Sequence, residues 1–311
     1  MSFPVTAYPS PEGRTFVFIA GLHRSGTSVL FKSLKEHPAV SGFDATGVME
    51  DEGQLLQNVY PPARAYGGPG KFGFHPDAHL TETSPLATVA NANALFRQWA
   101  PLWDLTKPVL IEKSPPNLIR TRFLQALYPN SFFIVILRHP IAVSYATQKW
   151  SGTQLHSLLR HWIVCHRIFE ADRPFLRRVL TLKYEHFVSD PSGVLARILR
   201  ILGLPCGATS TPVHSGVNNT YLARWRDRQG KPLKRAYLTG LELMYEASVR
   251  HFGYSLNDPE FVTRSDLEME TVGSDGQSFD ESVLAAGPTS DAEPAETWAK
   301  LPLPSRRAQS D

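Results

Sequence analysis

The chain has 311 residues, with 32 Lys and Arg against 29 Asp and Glu, a net charge of +3 and an apolar fraction of 42%, enough for one large α/β domain or two small ones. No run approaches the ~18 consecutive apolar residues of a membrane helix, and the first apolar run, Phe16 to Leu22, follows a single basic residue, Arg14, without a signal-peptide pattern. Two cysteines, Cys165 and Cys206, make no disulfide framework, so the sequence reads as a soluble cytoplasmic protein.

The charge is unevenly spread. Ten acidic and three basic side chains fall in residues 265–311, which leaves the preceding 264 residues with +10. A basic body suits an anionic ligand, because the summed field concentrates anions near the site.

Residues 1–13 are rich in Pro and read as a flexible lead-in. TFVFIA at 15–20 reads as a short buried strand, and 28–36 as a helix closed by His37-Pro38. Residues 41–85, with GGPG at 67–70, read as long ordered loops over a site. A helix follows over 91–99, a strand over 109–111 and a helix over 117–127. SFFIVIL at 131–137 has no polar alternation, as expected of a strand buried on both faces of a parallel sheet. Helices are predicted over 140–150 and 154–171, a strand over 179–182 and a helix over 191–202. A linker over 205–220 and a last helix over 237–252 complete a single domain of residues 14–262. The acidic stretch 263–311 is expected to be disordered. Strands alternating with helices predict the α/β class, a three-layer P-loop-like fold whose central parallel sheet is flanked by helices.

The first strand runs into Gly21-Leu-His-Arg-Ser-Gly-Thr-Ser28 and then a helix. Glycines permit the tight turn, and backbone N–H groups with the helix N-terminus meet an anion. A nucleotide-triphosphatase loop would carry Lys after its second glycine; here that place holds Thr27, and the cation is Arg24. Such a loop suits a single phosphate held without metal, by Arg24, Ser25, Gly26, Thr27 and Ser28. The strand at 131–137 ends in Leu-Arg138-His-Pro. This places a forked cation at the C-terminal edge of the sheet, where open α/β sheets bind ligands.

GLHRSGTSVL resembles the 5′-phosphosulfate loop of the sulfotransferase superfamily, closer to its bacterial and tyrosylprotein-like branches than to its cytosolic phenol-type enzymes. IVILRHPIAVSYATQKW resembles the family's 3′-phosphate motif, which implies Arg138 as a phosphate ligand. The family serine falls eight residues after the arginine, which here is Ala146, leaving Ser144 and Thr147 as rival candidates. LTLKYEHF resembles the family strand ending in Tyr-Glu, which implies Tyr184 near the adenine. The resemblance implies 3′-phosphoadenosine 5′-phosphosulfate (PAPS) as cosubstrate, no metal, and transfer to an acceptor that is a glycan, lipid, peptide or small molecule. Neither nucleic acid nor a membrane span is expected.

By the same resemblance Lys113, in IEKSPPN, would stabilise the transferring group. A base for the acceptor proton is expected in MEDEGQ, Glu52 before Glu50, with the adjacent carboxylates raising one another's pKa. His75 and His79 compete for that role; without a third ligand their spacing does not argue for metal. Arg224, Arg226, Arg228, Lys231, Lys234 and Arg235 form a basic run around Trp225, placed like the family's closing loop. A P-loop kinase and a catalytically silent nucleotide-binding relative remain as alternatives.

Overall fold

The computed structural model describes residues 13–207, 210–229, 232–263 and 269–270; the predicted lead-in and acidic tail lie almost wholly outside these, as does Lys231. In chain order the elements are β1 (Thr15–Ala20), α1 (Thr27–Lys35), β2 (Val40–Gly42), α2 (Val89–Trp99), β3 (Val109–Lys113), α3 (Thr121–Leu127), β4 (Ser131–Leu137), α4 (Pro140–Ser151), α5 (Leu155–Asp172), β5 (Val179–Lys183), α6 (Tyr184–Ser189), α7 (Pro191–Ile201), α8 (Val217–Gln229), α9 (Pro232–His251) and β6 (Met269–Glu270).

The sheet order is β2-β3-β1-β4-β5-β6. The first five strands are parallel and β6 is antiparallel on the edge. The expected α/β fold with a parallel central sheet between helices is the one that forms. Alternation along β1 explains the three layers, because successive side chains of a strand point to opposite faces. Phe16, Phe18 and Ala20 join a core with Phe123, Leu124, Ile141, Tyr145 and Trp162. Val17 and Ile19 join a second core with Leu30, Leu34, Phe187, Leu195 and Ile198. Both faces are therefore covered, and β4 is buried at all seven positions. Each such aliphatic or aromatic side chain contributes about 1.5–3 kcal/mol on leaving water.

Two differences from the sequence reading have causes in the packing. The helix expected over 117–127 is split into a short 3-10 turn, Pro115–Ile119, and α3. The split falls at Arg120, which is wholly buried and donates to the Ala78 and Pro61 carbonyls. The 41–85 segment is ordered, as expected, and pinned: Trp99 Nε1 donates to the Gly53 carbonyl at 3.1 Å, and Phe43 stacks on Trp103 with ring centres 4.8 Å apart. The linker expected to reach 220 gives way at Val217 to α8, which buries Tyr221, Leu222 and Trp225 on one face. Among the described residues no helix is long and apolar enough to cross a membrane.

Candidate active site

β1 lies between β3 and β4, so the chain leaves it at the point where the sheet's connections diverge to either side. Ligands of open parallel sheets bind in that crevice, outside the strands' C-terminal ends. The loop from Gly21 to Gly26 occupies it. Arg24 holds the left-handed conformation, φ 70°, and Gly26 has φ 100°. No side chain caps the first turn of α1, so its leading N–H groups carry no such partner. Ser25 is wholly buried, and its Oγ has no hydrogen-bond partner among the described residues.

Arg138 closes one side of this loop. It is 6% exposed. Its Nη1 donates to the Arg24 carbonyl at 2.7 Å, its Nε to Asn218 Oδ1 at 2.8 Å, and its Nη2 is buried without a partner among the described residues. The guanidinium lies 4.3 Å from the centre of the Tyr184 ring. Tyr184 in turn lies against the loop: a Cβ added to Gly26 would stand 2.5 Å from Tyr184 Cδ2. Arg24, Gly26, Arg138 and Tyr184, far apart in sequence, thus form one contiguous cluster.

The other side is built by β3 and the loops of residues 41–85. Lys113 is 1% exposed; its Nζ lies 3.6 Å from Glu52 Oε1 and donates to the Glu50 carbonyl at 2.9 Å. Burial raises the pKa of Glu52, against the opposing influence of Lys113 and of a hydrogen bond from Gln54. The three carboxylates do not behave as the sequence led us to expect. Glu50 is exposed, and Asp51 is held below its usual range, against burial, by hydrogen bonds from Thr46. Glu52 is raised chiefly by burial, with Glu50 only a minor influence. Glu50 and Asp51 both have positive φ, 55° and 50°. Three of the four described non-glycine residues with positive φ therefore lie at this site, where strain of about 1–3 kcal/mol each is characteristically stored.

Residues 17–208 match the sulfotransferase family. The chain belongs to that family. Among solved structures it is similar to the sulfotransferase domain of the Synechococcus PCC 7002 olefin synthase, at 21% identity over 64% of this chain and 77% of that one, with a TM-score of 0.42. A sulfotransferase from Alicyclobacillus acidocaldarius is 16% identical over 68% and 90%, TM-score 0.42. One from Mycobacterium tuberculosis H37Rv is 15% identical over 68% and 71%, TM-score 0.41. No curated protein matches.

In this member of the family the remaining candidates scatter. Ser144 and Thr147 share one buried face of α4, 1% and 2% exposed, and line a cavity of about 10 Å³ with His23, Gly70 and His161. Neither is among the guanidinium's partners. Burial, with Lys113 and Arg24 nearby, pushes the His23 pKa down to about 3, which keeps the ring neutral. His75 and His79 take different partners: Asp77 at 3.8 Å, and Asp172 at 2.9 Å. Of the basic run, Arg226 pairs with Glu260 at 2.7 Å and Arg224 lies over the Tyr145 ring; the Arg228 side chain is outside the described residues. The sequence reading missed Asn218 on Arg138, and Lys149, whose Nζ lies 5.0 Å from the centre of the Tyr221 ring beside Arg138. The signal available for Asn218 was the spacing of Tyr221, Leu222 and Trp225, a helical face that begins just past the stretch read as a linker.

Proposed function

We propose that the protein transfers the sulfuryl group of PAPS to a hydroxyl or amine of an acceptor, in the cytoplasm, with residues 14–262 as the catalytic domain. The observation that carries this reading is that Arg138 Nη2, beside a phosphate-type loop, and that loop's own Ser25 Oγ are both buried without a partner among the described residues. Buried polar groups without partners are rare in folded proteins, and an anionic ligand would satisfy both. Arg24, Ser25, Gly26, Thr27 and Ser28 would hold the 5′-phosphosulfate, Arg138 the 3′-phosphate, and Tyr184 would flank the adenine. The cosubstrate supplies a sulfuryl group whose bond to the bisphosphate breaks as a bond from sulfur to the acceptor oxygen or nitrogen forms. Glu52 takes the acceptor proton, with Glu50 as the exposed alternative. Lys113 offsets charge developing at the transferring group.

The test is thermal unfolding with adenosine 3′,5′-bisphosphate, with ADP, and with ATP plus Mg²⁺. A ligand at about 100 times its Kd adds about 2.7 kcal/mol of stability. Selective stabilisation by the 3′,5′-bisphosphate, lost in Arg138→Ala, is expected. A shift with ATP and Mg²⁺ alone would replace this reading with a kinase.

A further inference from the structure

The end of β3 carries an acidic residue, beside Lys113, that the scheme above does not use. Glu112 is 1% exposed in the interior. Its Oε1 accepts the Gly53 N–H at 2.9 Å and the Ser114 hydroxyl at 2.5 Å, and its Oε2 accepts Asn117 Nδ2 at 2.6 Å. Ser114 Oγ also accepts the Gln54 N–H at 3.0 Å. Gln54 is itself buried: its Oε1 accepts the Ala63 N–H at 2.8 Å and its Nε2 donates to Glu52 Oε2 at 2.5 Å. Gly53 approaches so closely that an added Cβ would stand 2.5 Å from Glu112 Cγ.

A buried carboxylate is costly unless its lone pairs are filled, and here the donors that fill them come from the segment carrying Glu52 as well as from the β3 end. Glu52 itself is extended, φ −76° and ψ 123°, but it follows two residues with positive φ, so the turn that delivers it is strained. Some outside contact must fix it, and Glu112 and Ser114 hold the next two residues.

We infer that Glu112, acting through Ser114 and Gln54, is a positioning residue that fixes Glu52 against Lys113. This rests on the reading of Glu52 as the base. One strand end thereby sets both the cation and the base, so that their 3.6 Å separation survives motion of the loops around them. The charged and titratable groups facing Glu52 are Lys113 and Glu50, and those facing Glu112 are Lys113, Tyr60 and Arg120.

Two variants test it. Glu112→Gln keeps the shape but turns an amide NH₂ toward donors, and Ser114→Ala removes one link with little change in volume. Each is assayed three ways: adenosine 3′,5′-bisphosphate binding, hydrogen exchange over residues 50–56, and bisphosphate release from PAPS with water as acceptor across pH. The expected result is unchanged bisphosphate affinity, faster exchange over 50–56 and turnover lower by about 10- to 100-fold, as small misplacements of reacting groups produce. The acid limb of the pH profile should move to lower pH, because a released Glu52 regains water. Faster exchange with wild-type turnover and pH profile overturns the inference by making Glu112 structural only; unchanged exchange overturns it outright. If Glu112→Gln does not fold, Ser114→Ala decides by the same criteria. If the wild-type protein neither binds the bisphosphate nor hydrolyses PAPS, the functional reading fails, and the exchange over 50–56 alone decides whether Glu112 holds the segment.

Discussion

Arg138 donates through Nε to Asn218 Oδ1 at 2.8 Å, and Asn218 Nδ2 donates onward to Glu185 Oε1 at 2.7 Å. Glu185 also accepts the His139 N–H and the Tyr254 hydroxyl. A single amide thus ties α8 to the turn that follows β4 and sets the plane of the guanidinium. Removing it in Asn218→Ala strands a buried donor of a charged group, a loss of roughly 1–3 kcal/mol. Bisphosphate affinity measured by titration calorimetry is expected to fall by about 10-fold or more. An unchanged Kd would show that Asn218 does not set Arg138.

Arg138→Lys should do nearly as much harm as Arg138→Ala. A lysine has no planar fork, so it cannot reach the Arg24 carbonyl and Asn218 while leaving a further N–H toward a ligand. The comparison is made on bisphosphate Kd, and recovery of near-wild-type affinity in the lysine variant would mean that charge alone suffices.

Gly26→Ala should cost both stability and binding. The position has φ 100°, and the new methyl would meet the Tyr184 ring at 2.5 Å. Left-handed backbone at a residue with a side chain costs about 1–3 kcal/mol before the clash is counted. A lower midpoint in thermal unfolding and loss of the bisphosphate-induced shift are expected together.

Lys113→Ala should lower stability by about 3–5 kcal/mol, because it leaves the buried Glu52 carboxylate without its partner. Its kinetic signature has a definite sign. Lys113 opposes the burial that raises the Glu52 pKa, so its loss raises that pKa further. If Glu52 is the base, activity disappears as pH falls through its pKa, and the acid limb should move to higher pH. That is the reverse of the shift expected for Glu112→Gln.

Glu112 also predicts a slope in stability against pH. Burial pushes its pKa from 4.5 to about 7, against three hydrogen-bond donors and Lys113 that favour the charged form. Between these values the native state holds the proton more tightly than the unfolded chain, so stability falls as pH rises. The loss is up to about 3 kcal/mol, at 1.36 kcal/mol per pKa unit. Glu112→Gln should flatten denaturation midpoints across pH 4.5 to 7; an undiminished slope would assign it to other groups.

Much of this molecule is legible in its sequence because its signals are local. The unbroken apolar run at 131–137 and the strand-glycine-helix grammar at 15–35 depend on neighbours along the chain, and they become β4, β1 and α1. Arg24 and Arg138 sit at strand ends and could be placed for that reason. What escaped depends on residues distant in sequence. The pairing of Arg138 with Asn218 spans 80 positions and that of Gly53 with Glu112 spans 59, and no periodicity announces either. The carboxylates of residues 50–52 looked equivalent because adjacency was all the sequence offered. Burial separates them: Glu52 is enclosed beside Lys113 and Gln54, whereas Glu50 is exposed.

The position of β1 has a consequence for how the protein is made. β1 pairs with β3 and β4 and not with its nearest neighbour in sequence, and Gly26 is packed under Tyr184. Residues 21–26 are therefore synthesised long before the surfaces that shape them. At 5–20 residues per second the ribosome needs roughly 8–30 s to travel from Gly26 to Tyr184. Until β3 emerges at residue 109 the nascent chain carries apolar β1 without either flanking strand, and a ligand that needs both Arg138 and Tyr184 can assist folding only once synthesis is past the middle of the chain.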